Sequence, residues 1–165
     1  MRGDVTTTRM VPMSDLCQDP YGLSAAPPEA FLNHGKALLV IAGADGEVSE
    51  AELARLVDHQ RRMGAPEEVI GPYEEFAHRR AELMDLLPAV RTDVDTWQAA
   101  PHLVHHAIQM CGADGVSAEA ERAQVLRAAR VMGVPGDIVL SPHALVDMER
   151  AAGDLRAVLF RVNGA

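Results

Sequence analysis

A chain of 165 residues with 48% hydrophobic side chains is long enough to bury one core, and its 4% aromatic content favours helices packed through Ala, Leu and Val over a sheet-rich fold. The net charge is −9, divided as −1 over residues 1–27, −6 over 28–90 and −2 over 91–165, so neither half presents the clustered basic face that a nucleic-acid partner requires. No apolar run approaches the roughly 20 residues that span a bilayer, and the amino terminus has no apolar signal segment, so a cytoplasmic protein with no membrane partner is expected.

Residues 1–27 carry three consecutive Thr, scattered Pro and Gly and no apolar periodicity; they read as a flexible leader, with Tyr21 and Leu23 as its two groups able to dock on the body. Cys17 falls in this leader, which leaves Cys111 without a structural disulfide partner and reads it as a small buried hydrophobe.

Residues 28–165 read as a single domain holding an internal repeat, with copy one over about 30–87 and copy two over about 99–156. At an offset of 69 residues, Gly43-Ala44-Asp45-Gly46 matches Gly112-Ala113-Asp114-Gly115, Glu50-Ala51-Glu52 matches Glu119-Ala120-Glu121, and Met63-Gly64-Ala65-Pro66 matches Met132-Gly133-Val134-Pro135. Ahead of each turn, Gly35, Leu38, Leu39 and Ala42, and then Val104, Ala107, Ile108 and Cys111, follow helical spacing. After each turn, Leu56, Val57, Gln60 and Met63 correspond to Val125, Leu126, Ala129 and Met132. Each copy therefore reads helix, acidic turn, helix. Gly64 and Gly133 are placed to end the second helix, and Pro66 and Pro135 to open the next short one.

A further helix is expected in each half. In the first, Tyr73, Phe76, Ala77, Leu83, Met84 and Leu87 form its buried face and Pro88 ends it; in the second, Leu145, Met148, Ala152, Leu155, Leu159 and Val162 have the spacing of a helix laid along a partner. Between the copies, Asp95 or Thr96 can cap the entering helix, and Pro101 confines the start of regular helix to its own neighbourhood. The fold expected is all-α, a compact bundle of two helical hairpin repeats related by a pseudo-twofold axis.

The duplicated segments Ala42-Gly43-Ala44-Asp45-Gly46 with Glu52, and Ala113-Asp114-Gly115 with Glu121, resemble the acidic turns of the TerB-like tellurite-resistance family over roughly residues 30–140. The resemblance implies an all-helical stress-response or binding module and an acidic surface holding a divalent cation, calcium or magnesium. Carried over residue by residue, its ligands are Asp45, Glu52, Asp114 and Glu121. Cys111 stands where the family pattern has a small Ala, copy two lacks the acid corresponding to Glu47, and the leader is outside the pattern.

The residues themselves admit two readings of these acids. Asp-Gly, five residues, Glu is the second half of a calcium loop whose first half is missing, since Ile41 and Gly43, and then Met110 and Gly112, occupy the positions of its first acids. One turn supplies too few oxygens, so pairing both turns is needed to assemble a site. Against this, Ser49 with Glu52 is a capping box, which explains an acid at a helix start without any metal. In copy two Ser117 has Ala120 three residues on, so that box is expected to leave Glu121 unexplained.

His102, His105 and His106 cluster on one predicted helix but off its apolar stripe, so they are expected at a solvated or boundary position, as are His34, His59, His78 and His143. Nucleophile-elbow, phosphate-loop and zinc-protease motifs are absent. The alternative function is a small-molecule acid/base enzyme of secondary metabolism, a cyclase or condensing enzyme, with Glu52, Asp114, Glu121 or His105 as acid and base and Tyr21, Tyr73 and Trp97 near an aromatic substrate. The expected partner is a small molecule or a metal ion, and a homodimer is allowed.

Overall fold

The computed structural model describes residues 9–12, 25–92, 99–113 and 118–159. Cys17, Tyr21, Leu23, Asp95, Thr96, Trp97, Asp114, Ser117 and Val162 lie outside these, so the expectations placed on them do too.

Two short strands, β1 (Val11–Pro12) and β2 (Ala25–Ala26), pair antiparallel with Val11 opposite Ala26. Both of those side chains are buried in the core. Arg9 adds an exposed ion pair to Glu68 at 2.9 Å, worth little on its own. The described part of the expected leader is therefore docked through Val11.

The body is helical. Helix α1 (Pro28–Ala42) starts with Pro at its first position, where no amide hydrogen is needed. Its residues 37–42 are buried without interruption, so it is a core helix surrounded on all sides rather than an amphipathic one. A 3-10 turn (Gly43–Asp45) follows, closed by Gly46 at φ 110°, a conformation that suits glycine. Helix α2 (Glu50–Met63) ends on Gly64, also left-handed, with Gly64 N and Ala65 N donating back to Arg61 O and Gln60 O.

The single expected helix from Tyr73 to Leu87 is instead three pieces. After α3 (Glu67–Ile70) come α4 (Pro72–Glu75), a 3-10 turn (His78–Arg80) and α5 (Leu83–Thr92). Pro88 lies inside α5 rather than ending it, and Met84 is on the exposed side. The break falls where Phe76 takes up extended backbone, which lets Tyr73 turn back onto α1.

Helix α6 (Ala99–Cys111) carries Pro101 in its first turn, as expected, and packs against α1, α2, α5, α7 and α8. Helix α7 (Glu119–Val131) ends beside Gly133 at φ 75°. The buried stripe of α7 runs through Val125, Ala128, Ala129 and Met132, one position around from expectation, and leaves Leu126 exposed. Met63 and Met132 are both buried. Pro135 opens not a short helix but α8 (Gly136–Leu159), which packs on α6 and α7 through Val139, Pro142 and Val146. None of the described helices is long and apolar enough to cross a membrane.

Candidate functional site

The site grows out of two helix starts. A helix leaves its first amide hydrogens unpaired, and a Glu at the third position can reach back to accept one of them. Glu52 does this in α2: Ser49 N donates to Glu52 Oε2 at 2.8 Å, and Glu52 N donates to Ser49 Oγ at 3.2 Å, completing the reciprocal box. Glu121 does the same in α7, where Ala118 N donates to Glu121 Oε2 at 2.8 Å. The cap of α7 is thus Ala118, the position matching Ser49, and not Ser117. Ala118 has no side-chain oxygen to return, so half the box forms, but that half explains Glu121 as a capping acid after all.

This difference is testable. Ala118 has the extended backbone of a cap residue, φ −64° and ψ 151°, so Ala118→Ser should complete the box and raise stability by about 0.5–1 kcal/mol, whereas Ser49→Ala should lower it by about 1 kcal/mol. Equilibrium urea unfolding of the two variants reads both signs.

Capping alone does not account for where the two carboxyl groups end up. The first acidic turn packs against α7, and α6 delivers Cys111 to the same place. Glu52, Glu121 and Cys111, all buried, each bring one donor atom within 4.8 Å of the others. Burial pushes the Glu121 carboxyl up to about 7; the hydrogen bond from Ala118 N works against this, while the negative charges of Glu52 and Asp45 and a side-chain hydrogen bond with Glu52 reinforce it. Two acids this close in a buried setting retain a proton or take a cation in its place.

Three of the four carboxylates expected from sequence lie among the described residues, and they are placed unequally. Glu52 and Glu121 come together. Asp45 sits at the exposed turn, where its Oδ1 accepts from Glu47 N at 3.1 Å, close enough to act electrostatically on Glu121. Asp114 lies outside the described residues. Cys111 is buried, as its packing role from sequence implies, but its thiol also borders the carboxyl pair. The available signal was its position: it is the last residue of the helix entering the second turn.

The histidines correct the sequence reading most sharply. His34, His105 and His106 are buried, and His59 and His102 are half-buried beside them. His34 Nε2 and His106 Nδ1 are 3.0 Å apart, and the His59 and His106 rings meet edge-on with centroids 3.9 Å apart. Those of α6 are interior because that helix is enclosed by five other helices and has almost no solvent face, and His34 and His59 meet them from α1 and α2. Burial is the largest influence on each, lowering His34 to about 3 and His59 and His102 to about 4, and bringing His105 and His106 down as well. These are neutral core imidazoles at pH 7. His105, the candidate acid or base, lies six residues before Cys111, roughly 9 Å along the helix, with its Nε2 3.8 Å from Glu149 Oε1.

A cleft of about 550 Å³ adjoins the turns, lined by Ala51 and Arg55 of α2, Gly112 and Ala113 of the second turn, and Glu149 and Arg150 of α8. It is an open, mixed-charge surface; a second, more apolar groove of about 590 Å³ between α6 and α8 is lined by His102, His105, Ile138 and Leu145.

The family model described as tellurite resistance protein TerB matches residues 36–139. Among solved structures, a tellurite resistance protein from Nostoc punctiforme PCC 73102 is similar, with a TM-score of 0.74 over 92% of this chain and 99% of that one, at 22% identity. At that identity the likeness carries the helical fold alone. No curated protein matches the chain. These comparisons lend the acid/base enzyme of secondary metabolism no support.

Proposed function

The chain belongs to the TerB tellurite-resistance family, and on that premise we propose that it is a binding module whose two acidic turns jointly hold one divalent cation. The observation that carries the reading is the meeting of Glu52 and Glu121 with Cys111. Each carboxylate keeps Oε2 committed to its helix cap, which fixes the side chain, and a cation would take the place of the proton in the hydrogen bond between the two carboxyl groups. Capping and metal binding are then not rivals: the cap positions the donor.

The donor set bears on which metal fits. Calcium and magnesium take oxygen ligands, and two carboxylates with Asp45 nearby supply some of them. A thiolate is a poor ligand for either and a good one for zinc or cobalt(II). We therefore shift the preference from calcium or magnesium toward a borderline cation, with Glu52, Glu121 and Cys111 as protein ligands and room for solvent.

Thermal unfolding with each cation tests this. A cation at about 100 times its Kd should stabilise by about 2.7 kcal/mol. Zinc or cobalt(II) should raise the melting temperature by several degrees, Glu121→Gln should abolish the rise, and Cys111→Ala should remove it for these two cations. The rise should be larger at pH 8 than at pH 6, because below about pH 7 the proton on Glu121 competes. A melting temperature indifferent to every divalent cation would contradict the reading.

A further inference from the structure

The end of α8 carries a surface that the described residues leave uncovered. Arg150 lies against Gly112, just beyond the end of α6, so residues 151–159 continue past the helix they pack on. Among residues 151–159 only Ala152 is even half-buried. Yet this stretch is apolar: Leu155, Val158 and Leu159 are 58%, 69% and 64% exposed, as is Met148 just before it at 69%. Helical turns without tertiary packing are marginal in water, and solvated ones are normally polar.

The spacing of the exposed residues specifies what fits. Leu145, Met148, Ala152, Leu155 and Leu159 follow alternating steps of three and four, the seam of a two-helix coiled coil, on the side of α8 away from Val139, Pro142 and Val146. Glu149 and Arg156 flank that seam on one side; Ala144, Ala151 and Val158 flank it on the other. In a parallel pair the charged flank would face only those apolar positions. In an antiparallel pair like flanks meet, and the register that sets Ala152 against the partner's Leu155 sets Met148 against the partner's Leu159. The same register sets Glu149 against the partner's Arg156, twice by symmetry.

We propose that α8 pairs antiparallel with α8 of a second copy of this chain, forming a twofold homodimer with Ala152 and Leu155 at its centre and two Glu149–Arg156 ion pairs at its edge. The pairing of small Ala152 with large Leu155 suits close helix approach. Glu149 already accepts from Gln109 through Oε2 at 2.7 Å, which holds the carboxylate in place, while Oε1 lies 3.8 Å from His105 Nε2 and can receive the partner's Arg156. An isologous contact of this kind closes at two subunits.

Sedimentation equilibrium of the full chain under reducing conditions, with helical content checked by circular dichroism, tests the proposal. The native chain should be a dimer at micromolar concentration. Arg156→Glu places like charges together twice and should raise the dissociation constant tenfold or more, as should Leu155→Glu. Glu149→Arg combined with Arg156→Glu restores the opposite pairing and should recover the dimer. A native monomer across the accessible range, including one in which residues 13–24 of the same chain shield the α8 face, would overturn the proposal. A dimer unaffected by Leu155→Glu, or one that the charge swap does not rescue, would overturn it equally.

Discussion

Lowering the pH from 7 to 5 should destabilise the protein by several kcal/mol, because its interior holds histidines that cannot charge in place. His34 falls from an ordinary 6.5 to about 3 and His59 to about 4, in both cases mainly through burial. A group whose folded value is depressed contributes stability that is complete above its unfolded value and is lost as the pH drops toward the folded one. The window therefore runs from pH 6.5 down to about 4 for His59 and about 3 for His34. At about 1.36 kcal/mol per unit, each of these two groups costs about 2 kcal/mol by pH 5, against total stabilities of about 5–15 kcal/mol. His102, His105 and His106 act in the same direction. Glu121 acts oppositely, since its raised value gives stability that is complete below 4.5 and lost as the pH rises through about 7. One acid does not offset five histidines, so the net slope is positive. Urea midpoints at half-unit intervals should fall steadily from pH 6.5, and His34→Gln with His59→Gln should flatten that fall. A midpoint constant between pH 7 and 4.5 would show that the imidazoles reach solvent.

Gly35→Ala should be the most damaging single methyl in the chain. Tyr73, 2% exposed, lies across α1 and its hydroxyl donates to Phe31 O at 2.8 Å. A Cβ on Gly35 would stand 2.2 Å from that hydroxyl and 2.3 Å from the ring carbon bearing it. The ring cannot swing away without abandoning the hydrogen bond and opening the core. Overpacking costs about 1–3 kcal/mol and an orphaned buried polar group about 1–3 more, while alanine's better helix propensity returns about 1. A net loss of about 2–4 kcal/mol is expected. The loss should shrink in a Tyr73→Leu background, since the two residues touch and their effects do not add. Equal losses in both backgrounds would place the cost elsewhere.

The sequence was legible where local chemistry decides the structure. The capping box at Ser49 and Glu52, the left-handed stops at Gly64 and Gly133, and the buried stripes before each turn follow from short-range rules, and the helices form there. The family and its all-helical fold were legible from the duplicated turns. What failed was long-range. A stripe rule assumes one buried face, but α1 and α6 are buried nearly all round, so histidines off the stripe of α6 went inside. The break after Tyr73 depends on that ring reaching back to α1, which no periodicity encodes. The convergence of Glu52, Glu121 and Cys111 likewise needs three helices in place. The sequence offered four acids as equals; among the three that are described, only the packing brings Glu52 and Glu121 together and adds a thiol.

Anomalous scattering from crystals grown with cobalt(II) tests the central claim most directly. The account predicts a peak between the carboxylates of Glu52 and Glu121, within coordination distance of both, that disappears in Glu121→Gln crystals. Ordered side chains at that position with no cobalt between them, at millimolar metal and pH 8, would contradict it.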